Sequence, residues 1–168
     1  MTVRSAAPPV EQAWAAAAAV LDPEVPVLTI EDLGILRDVQ VDDDDQRTVR
    51  VTVTPTYSGC PAMDAISEDV RSALLDAGFD NVCVAFVLSP PWTTDWISEE
   101  GRRKLEEFGI APPGRARQDG VTALSLTVRC PQCGSPDTRE LSRFGSTACK
   151  ALWVCQACQE PFDHFKSI

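Results

Sequence analysis

The sequence has very little of what conventional catalysis uses. It contains one histidine, His164, so a Ser-His-Asp or Cys-His hydrolase would depend on that single side chain near the C-terminus. A Gly-rich phosphate loop, a dinucleotide-binding fingerprint and a Glu-x-x-His di-iron pattern are all absent. These absences argue against hydrolases, nucleotide-dependent enzymes and di-iron oxygenases. We therefore expect a protein without a catalytic site of its own.

Long apolar runs and clustered basic residues are also missing. No run approaches the length of about 20 residues that crosses a bilayer, and the alanine-rich segment 13–20 contains Trp14 and leads directly into Asp22-Pro-Glu. We therefore predict a cytoplasmic protein without membrane association. Residues 1–120 hold 21 acidic and 10 basic side chains, whereas residues 121–168 hold 4 and 5. This balance argues against nucleic-acid binding, which needs a clustered basic face.

Cysteine is comparatively plentiful, and its spacing indicates a metal site. Four of the seven cysteines form two Cys-x-x-Cys pairs, separated by 21 intervening residues, and they are Cys130, Cys133, Cys155 and Cys158. A two-residue gap lets both sulphurs of a pair reach one ion, and two such turns complete a tetrahedral site. A segment of this size needs such a metal clip, so we predict structural zinc. An iron-sulphur cluster or a thiol redox pair would use the same residues.

Two further residues of the tail are alternative metal ligands. Cys149 and His164 could each replace one cysteine or form a separate site, and the spacing does not decide between these arrangements. His164 lies between Phe162 and Phe165, which favours a packed side chain over a ligand.

The order of helical and strand patterns predicts an α+β protein. We expect a small mixed sheet of three to four strands packed by helices, followed by a C-terminal zinc-ribbon-like β module. The nearly continuous apolar run 81–88 predicts a buried central strand, with Cys83 as core filling. The other predicted elements are helices at 10–21, 61–77 and 99–108 and strands at 36–41 and 47–54, the last two joined by the acidic turn 42–45. A Pro/Gly/Arg-rich linker at 111–120 would separate a domain at 1–110 from the tail at 121–168.

Cys60 lies where a strand pattern ends and a helical pattern begins. Pro61 suits the first helical position, so the Cys60 thiol would face the positive end of the helix dipole, which favours the thiolate. This makes Cys60 a candidate metal ligand or nucleophile. Acidic residues in the following helix oppose that activation, and a small apolar residue closing a turn is the alternative interpretation.

Three short motifs carry a resemblance to a known family. They are Asp22-Pro-Glu-Val-Pro26, Asp32-Leu-Gly34 and Ser58-Gly-Cys-Pro-Ala62, and together they resemble the SufT-like iron-sulphur assembly family, whose domain has a cysteine at the position of Cys60. Further motifs resemble a narrower family, PaaD, the accessory subunit of bacterial phenylacetyl-CoA epoxidase systems. These are Pro91-Trp-Thr-Thr-Asp-Trp96, Phe108-Gly-Ile-Ala-Pro-Pro113, Cys130-Pro-Gln-Cys-Gly-Ser135, Phe144-Gly-Ser-Thr-Ala-Cys-Lys-Ala151 and Cys158-Gln-Glu-Pro-Phe162.

The resemblance implies an accessory role in aerobic phenylacetate degradation, where a di-iron oxygenase epoxidises phenylacetyl-CoA with electrons from a flavin and iron-sulphur reductase. Cys60 would bind iron or a nascent cluster transiently, and Asp22, Asp32 and Thr56 would line the same surface. The partners would be the oxygenase, its reductase or both, and the family also suggests a homodimer. One alternative is a structural or electron-transfer subunit with an iron-sulphur centre in the tail. Another is a thiol oxidoreductase that uses Cys60 or a Cys-x-x-Cys pair.

Overall fold

The computed structural model describes residues 9–44, 47–114 and 128–167. The chain divides into two compact units, Met1–Pro91 and Trp92–Ile168. Helices and two small mixed sheets alternate along the described ranges, which confirms the predicted α+β class. Every helix within these ranges is too short or too polar to cross a lipid bilayer.

The first unit is a three-stranded sheet with two helices. Strand β2 lies at the centre, pairs antiparallel with β1 and pairs parallel with β3. The parallel pair requires a crossover, which α2 supplies. The elements are α1 (Pro9–Ala18), β1 (Leu36–Val41), β2 (Thr48–Val53), α2 (Ala62–Asp76) and β3 (Asn81–Phe86).

The core of this unit forms where β2 and α2 meet. Strand β2 alternates valine with polar residues, and Val49, Val51 and Val53 are completely buried. Helix α2 contributes apolar side chains at helical spacing, among them Ile66 and Leu74, both fully buried. The helix ends at Asp76, close to the predicted stop, and the chain then returns to β3. This geometry fixes the β2–α2 connection at one end of the sheet.

Strand β3 differs from the sequence prediction in its position. It occupies an edge of the sheet, with β2 on one side and no further strand of the described residues on the other. Cys83 is exposed, so the prediction of a buried central strand with Cys83 as core filling is wrong. The apolar run misleads because none of the six residues of β3 is fully buried, although α2 packs beside the strand. Periodicity alone cannot distinguish an apolar edge strand from a central one.

The segment between α1 and β1 is irregular but tightly bonded. Within it, Leu21 and Thr29 form an isolated antiparallel β-bridge. Asp22 N donates to Leu28 O at 2.9 Å, and Ile30 N donates to Val20 O at 2.9 Å. These bonds fold the segment back on itself, which gives its acidic residues fixed positions.

The second unit contains a four-stranded sheet with the strand order β4-β7-β6-β5. Its strands are antiparallel apart from the short parallel pair of β4 and β7. A 3-10 turn (Thr94–Trp96) and α3 (Glu99–Glu107) precede the strands β4 (Ile110–Ala111), β5 (Thr138–Ser142), β6 (Lys150–Cys155) and β7 (Pro161–Phe165).

The boundary between the units differs from the predicted domain limits of 1–110 and 121–168, because residues 92–110 cluster with the tail. Trp92 is buried and its ring packs 6.1 Å from that of Phe165. The buried Arg102 guanidinium donates to Thr94 O and Pro113 O, both at 2.7 Å. Strand β4 includes the first residue of the predicted linker, whereas residues 115–127 lie outside the described part of the chain.

Candidate functional site

Cys60 lies in the connection between β2 and α2, directly before the helix. Its N–H donates to Tyr57 O at 3.4 Å and its carbonyl accepts from Met63 N at 3.3 Å, so a turn leads into the helix. Gly59 has a φ of 83°, a left-handed conformation that glycine adopts without strain. The space around the Gly59 Cα is open, so the backbone angle alone requires glycine there. The turn leaves the Cys60 thiol half-exposed.

The pKa of the Cys60 thiol is raised, which makes the predicted preference for the thiolate wrong. Partial burial is the largest cause, and the carboxylates of Glu24 and Asp22 raise the pKa further. The Ala62 N–H at the helix start and the Tyr57 side chain lower it, but their effect is smaller in sum. At neutral pH the unloaded site therefore holds a neutral thiol beside carboxylates.

The loop after α1 supplies these carboxylates. The Asp22 side chain is buried, and its Oδ1 accepts from Glu24 N at 2.9 Å and from Val25 N at 2.8 Å. Asp22 thereby fixes the turn that carries Glu24. The structure thus places Asp22 and Glu24 where their charges act on the Cys60 thiol. Sequence reasoning omitted Glu24, although it lies inside the Asp22–Pro26 motif.

The other two residues predicted for this surface have different surroundings. The buried Asp32 accepts from Thr29 N through Oδ2 at 3.0 Å, and Asp32 N donates to Thr29 Oγ1 at 3.0 Å. This reciprocal pair closes a turn. Thr56 is half-buried in the connection that also carries Cys60. A shared surface for Asp32, Thr56 and Cys60 stays a prediction.

The four cysteines of the two Cys-x-x-Cys pairs converge in the second unit. Their sulphurs all lie within 4.8 Å of one another, with Cys130 Sγ 3.8 Å from Cys158 Sγ and Cys133 Sγ 3.6 Å from Cys155 Sγ. Four sulphurs at about 2.3 Å from one tetrahedral ion would be about 3.8 Å apart. A cluster of several irons would hold thiolates on different irons farther apart. The donor set therefore fits one tetrahedral ion.

Two matching turns present these sulphurs. Gly134 N donates to Cys130 O at 2.8 Å, and Gln159 N donates to Cys155 O at 3.0 Å, so each Cys-x-x-Cys segment is closed by the residue after its second cysteine. Both closing residues have positive φ, 72° for Gly134 and 66° for Gln159. Cys130 and Cys155 also belong to a small apolar cluster with Ala111, Val128 and Phe162.

The thiols interact electrostatically, as expected for a site built around a cation. The Cys158 N–H, at 3.5 Å from the sulphur, helps to lower the pKa of Cys155 to about 7. The Glu160 N–H lowers the pKa of Cys158, but burial and the neighbouring thiols raise it to about 12. Four thiols this close cannot all ionise without a positive charge among them. A dication bound by the four thiolates would supply that charge.

The predicted alternates, Cys149 and His164, lie outside the four-thiol group. Cys149 is buried and its Sγ is 3.0 Å from Thr147 Oγ1. His164 Nδ1 is 3.1 Å from Ala111 O, and its ring packs edge-on against Trp153 at 5.8 Å. Burial lowers the pKa of His164, which keeps the ring neutral. Both residues therefore pack in the unit.

Two family models match separate parts of the chain, one on each side of the boundary between the two units. The family described as an iron-sulfur cluster assembly protein matches residues 11–84, and the PaaD zinc beta ribbon domain matches residues 115–166. A crystal structure of a domain of unknown function, DUF59, from Bacillus anthracis is similar to the chain with a TM-score of 0.52 and 29% identity. The match covers 58% of this chain and 91% of that one. It supports the fold of the first unit.

Two relatives have been given functional names. An Fe-S protein maturation auxiliary factor of Porphyromonas gingivalis (strain ATCC BAA-308 / W83) is 40% identical over 51% of this chain and 80% of its own length. A protein of Escherichia coli (strain K12), provisionally named as one of the subunits of 1,2-phenylacetyl-CoA epoxidase, is 46% identical over 97% of this chain and 96% of its own length. Since that match spans both units, the chain belongs to the PaaD family.

Proposed function

We propose that this protein is an accessory maturation factor of a phenylacetyl-CoA epoxidase system in aerobic phenylacetate degradation. It assists the assembly of iron or an iron-sulphur centre and does not catalyse the epoxidation. Its partners are the oxygenase, the iron-sulphur reductase or both. The E. coli relative, which matches nearly the whole chain, supports the pathway, and the maturation factors that match the first unit support the role.

The observation that carries this proposal is the placement of Cys60. A half-exposed thiol in the electrostatic field of two carboxylates offers one soft sulphur to an iron cargo, and one thiolate leaves most coordination positions open. The partner protein that receives the iron, the client, can therefore bind it with its own ligands before the bond to Cys60 breaks. A closed four-thiolate site resists such exchange because all of its positions are filled by the protein.

The raised pKa of Cys60 gives the loading step a defined proton balance. The thiol loses its proton to solvent as sulphur binds the cation, and the carboxylates of Glu24 and Asp22 offset part of the positive charge. On release, the client's ligand replaces the Cys60 sulphur, which takes a proton back from water. The site thus returns to a neutral thiol that is a weak nucleophile and a poor ligand until the next cargo arrives.

The zinc-ribbon-like module at residues 121–168, called the ribbon below, has a different role in this proposal. Cys130, Cys133, Cys155 and Cys158 hold structural zinc, supported by their mutual distances and by the match to a zinc ribbon family. When bound, the zinc ties the two turns together and stabilises the small cluster beneath them. The sheet that it fixes then serves to dock the client.

Metallation of the partner tests the proposal. The epoxidase subunits are produced with wild-type protein, with Cys60→Ala or with Cys83→Ala, a matched variant that removes the exposed thiol of β3 from the same unit. We expect the oxygenase and reductase purified from the Cys60→Ala background to carry less iron and to have no epoxidase activity. The partners produced with wild type or with Cys83→Ala should be fully metallated and active. Fully metallated partners in the Cys60→Ala background would contradict the proposal.

An electron-transfer role is the second candidate, because four thiolates around one ion could also hold a redox-active iron. Protein purified without oxygen would then carry a stable visible chromophore that disappears in Cys155→Ser and persists in Cys60→Ala. Colourless protein with one zinc per chain would exclude this role.

A further inference from the structure

The loop that joins β5 to β6, residues 143–149, presents an aromatic side chain to solvent. Phe144 is 73% exposed, the highest value among the large apolar side chains in the described part of the chain. One exposed apolar residue is ordinary on a protein surface, so the surroundings of the ring decide whether it is a binding feature.

Contacts from two directions fix the Phe144 ring. Phe144 N donates to Ser142 Oγ at 3.1 Å, so the end of β5 holds its backbone. Lys166, directly after β7, donates from Nζ to Arg143 O at 3.2 Å, and the same ammonium lies 5.2 Å from the centre of the Phe144 ring. The ring attracts the ammonium through its π-electrons. The ring therefore has a defined position before a partner arrives, which reduces the entropy lost on binding.

The rest of the loop is packed against β6 and β7. Gly145 N donates to Lys150 O at 2.8 Å, and a Cβ on Gly145 would lie 2.8 Å from Asp163 Oδ1. Ser146 Oγ donates to Asp163 Oδ2 at 3.1 Å, and the buried Lys150 Nζ is 4.0 Å from the same oxygen. A buried ammonium needs a carboxylate near it, so Asp163 links the loop and Lys150 to β7. The loop is thus a fixed part of the ribbon.

Basic side chains surround the ring, although the chain as a whole has a net charge of -10. The Arg143 side chain is 86% exposed and lies 3.9 Å from Glu140. Residues 138–149 together with Lys166 contain three basic side chains and one acidic side chain. Aromatic residues and arginine are enriched in protein interfaces, and a positive patch favours an acidic partner surface. The acidic remainder of the chain disfavours nucleic acid as the partner.

We propose that Arg143, Phe144 and Lys166, the Phe144 patch, form the surface that docks the client. The client provides an apolar pocket for the ring, bordered by carboxylates that face Arg143 and Lys166. The proposal rests on the docking role given to the ribbon above and names the residues that perform it. Burial of the ring holds the complex together, whereas the surrounding charges accelerate the encounter of the two proteins. Loss of the ring should therefore speed dissociation, and loss of a charge should slow association.

Binding kinetics of the full zinc-loaded chain with purified oxygenase and, separately, with purified reductase test this surface. We expect wild type to bind at least one of them, and Phe144→Ala to weaken that binding tenfold or more, mainly through faster dissociation. Phe108→Ala removes another exposed phenylalanine of the same unit, 54% exposed, and should bind like wild type. One zinc per chain in each variant shows that the ribbon is still folded.

The charges of the patch have a separate readout. Arg143→Gln should slow association severalfold and make the association rate less sensitive to salt. Arg103→Gln removes the same charge from an exposed position of α3 and should leave the association rate unchanged. Absence of binding by wild type to both partners would overturn the proposal, as would wild-type affinity in Phe144→Ala. Self-association through Phe144 in place of client binding, measured by sedimentation velocity, would overturn it as well.

The docking surface and the cargo site can fail separately. Cys60→Ala should bind the client with wild-type affinity, because the Phe144 patch is intact. Phe144→Ala should still take up iron at Cys60 but deliver less of it to the client. Unchanged client binding by Phe144→Ala, with under-metallated partners in the Cys60→Ala background, would contradict the docking surface alone. Weakened binding by Phe144→Ala, with fully metallated partners in the Cys60→Ala background, would contradict the cargo site alone.

Discussion

The two sulphur sites of this chain differ in the number of thiols and in how the fold encloses them. Cys60 is a single half-exposed thiol at a helix start, whereas four cysteines of the ribbon meet within 4.8 Å, with Cys130 and Cys155 buried. A closed set of thiolates retains its ion because the protein fills every coordination position. A single thiol leaves positions open for a client's ligands. In the proposed function, the second unit therefore retains its metal and the first unit exchanges its metal.

The largest effect should follow from breaking the closed site. Cys130→Ser removes one of the four ligands, and structural zinc contributes about 10 kcal/mol or more to the folding of such modules. We expect loss of zinc and of ordered structure around β5, β6 and β7, with the first unit still folded on its own apolar core. Zinc analysis and NMR spectra of the variant measure both effects.

Cys149→Ser is the matched control, because Cys149 is also a buried cysteine of the second unit but lies outside the four-thiol group. It should keep one zinc per chain. If Cys130→Ser also retained one equivalent of zinc, the ligand assignment would be incorrect.

The same contrast predicts how the seven thiols respond to a chelator. In the zinc-loaded chain Cys83 should react fastest with a thiol reagent, since it is exposed, and Cys60 more slowly because its pKa is raised. Four further thiols should become reactive once zinc is removed. Reagent titration before and after chelation counts them. Ribbon thiols that react only after a reductant is added would instead indicate a redox disulfide.

A smaller effect should come from the carboxylate beside Cys60. Glu24 raises the pKa of that thiol, so Glu24→Gln should lower the pKa and increase the thiolate fraction at a given pH. We expect severalfold faster alkylation of Cys60 below its pKa, measured in a Cys83→Ala background with the ribbon loaded. The alkylation rates of Cys60 with and without Glu24→Gln should converge at high pH, where the Cys60 thiol is ionised in both proteins. Glu68→Gln makes the same charge change at an exposed position of α2 and should not accelerate the alkylation of Cys60.

Local patterns in the sequence predicted much of this structure. The Cys-x-x-Cys spacing indicated the four-thiol group, and the alternating valines of β2 and the apolar spacing of α2 indicated their elements. Each of these signals depends on residues that are close in sequence. The residues carrying the PaaD resemblance likewise predicted the family.

Features that depend on contacts between distant segments could not be predicted in this way. The helix dipole favoured a Cys60 thiolate, but a loop more than 30 residues earlier brings Glu24 and Asp22 to the thiol. The run 81–88 did not show that β3 would lie at an edge. The two compact units divide after residue 91, because Trp92 and Arg102 pack within the second unit. The composition of the sequence did not indicate this packing.

The most direct test of the division between retained and exchangeable metal is the iron and zinc content of the same chain. Zinc-loaded wild type and Cys60→Ala are dialysed to equilibrium against iron(II) without oxygen, and both metals are counted per chain. We predict one zinc in each protein and additional iron only in wild type, removed by a competing thiol ligand while the zinc stays. Equal iron in the two proteins would contradict a cargo site at Cys60.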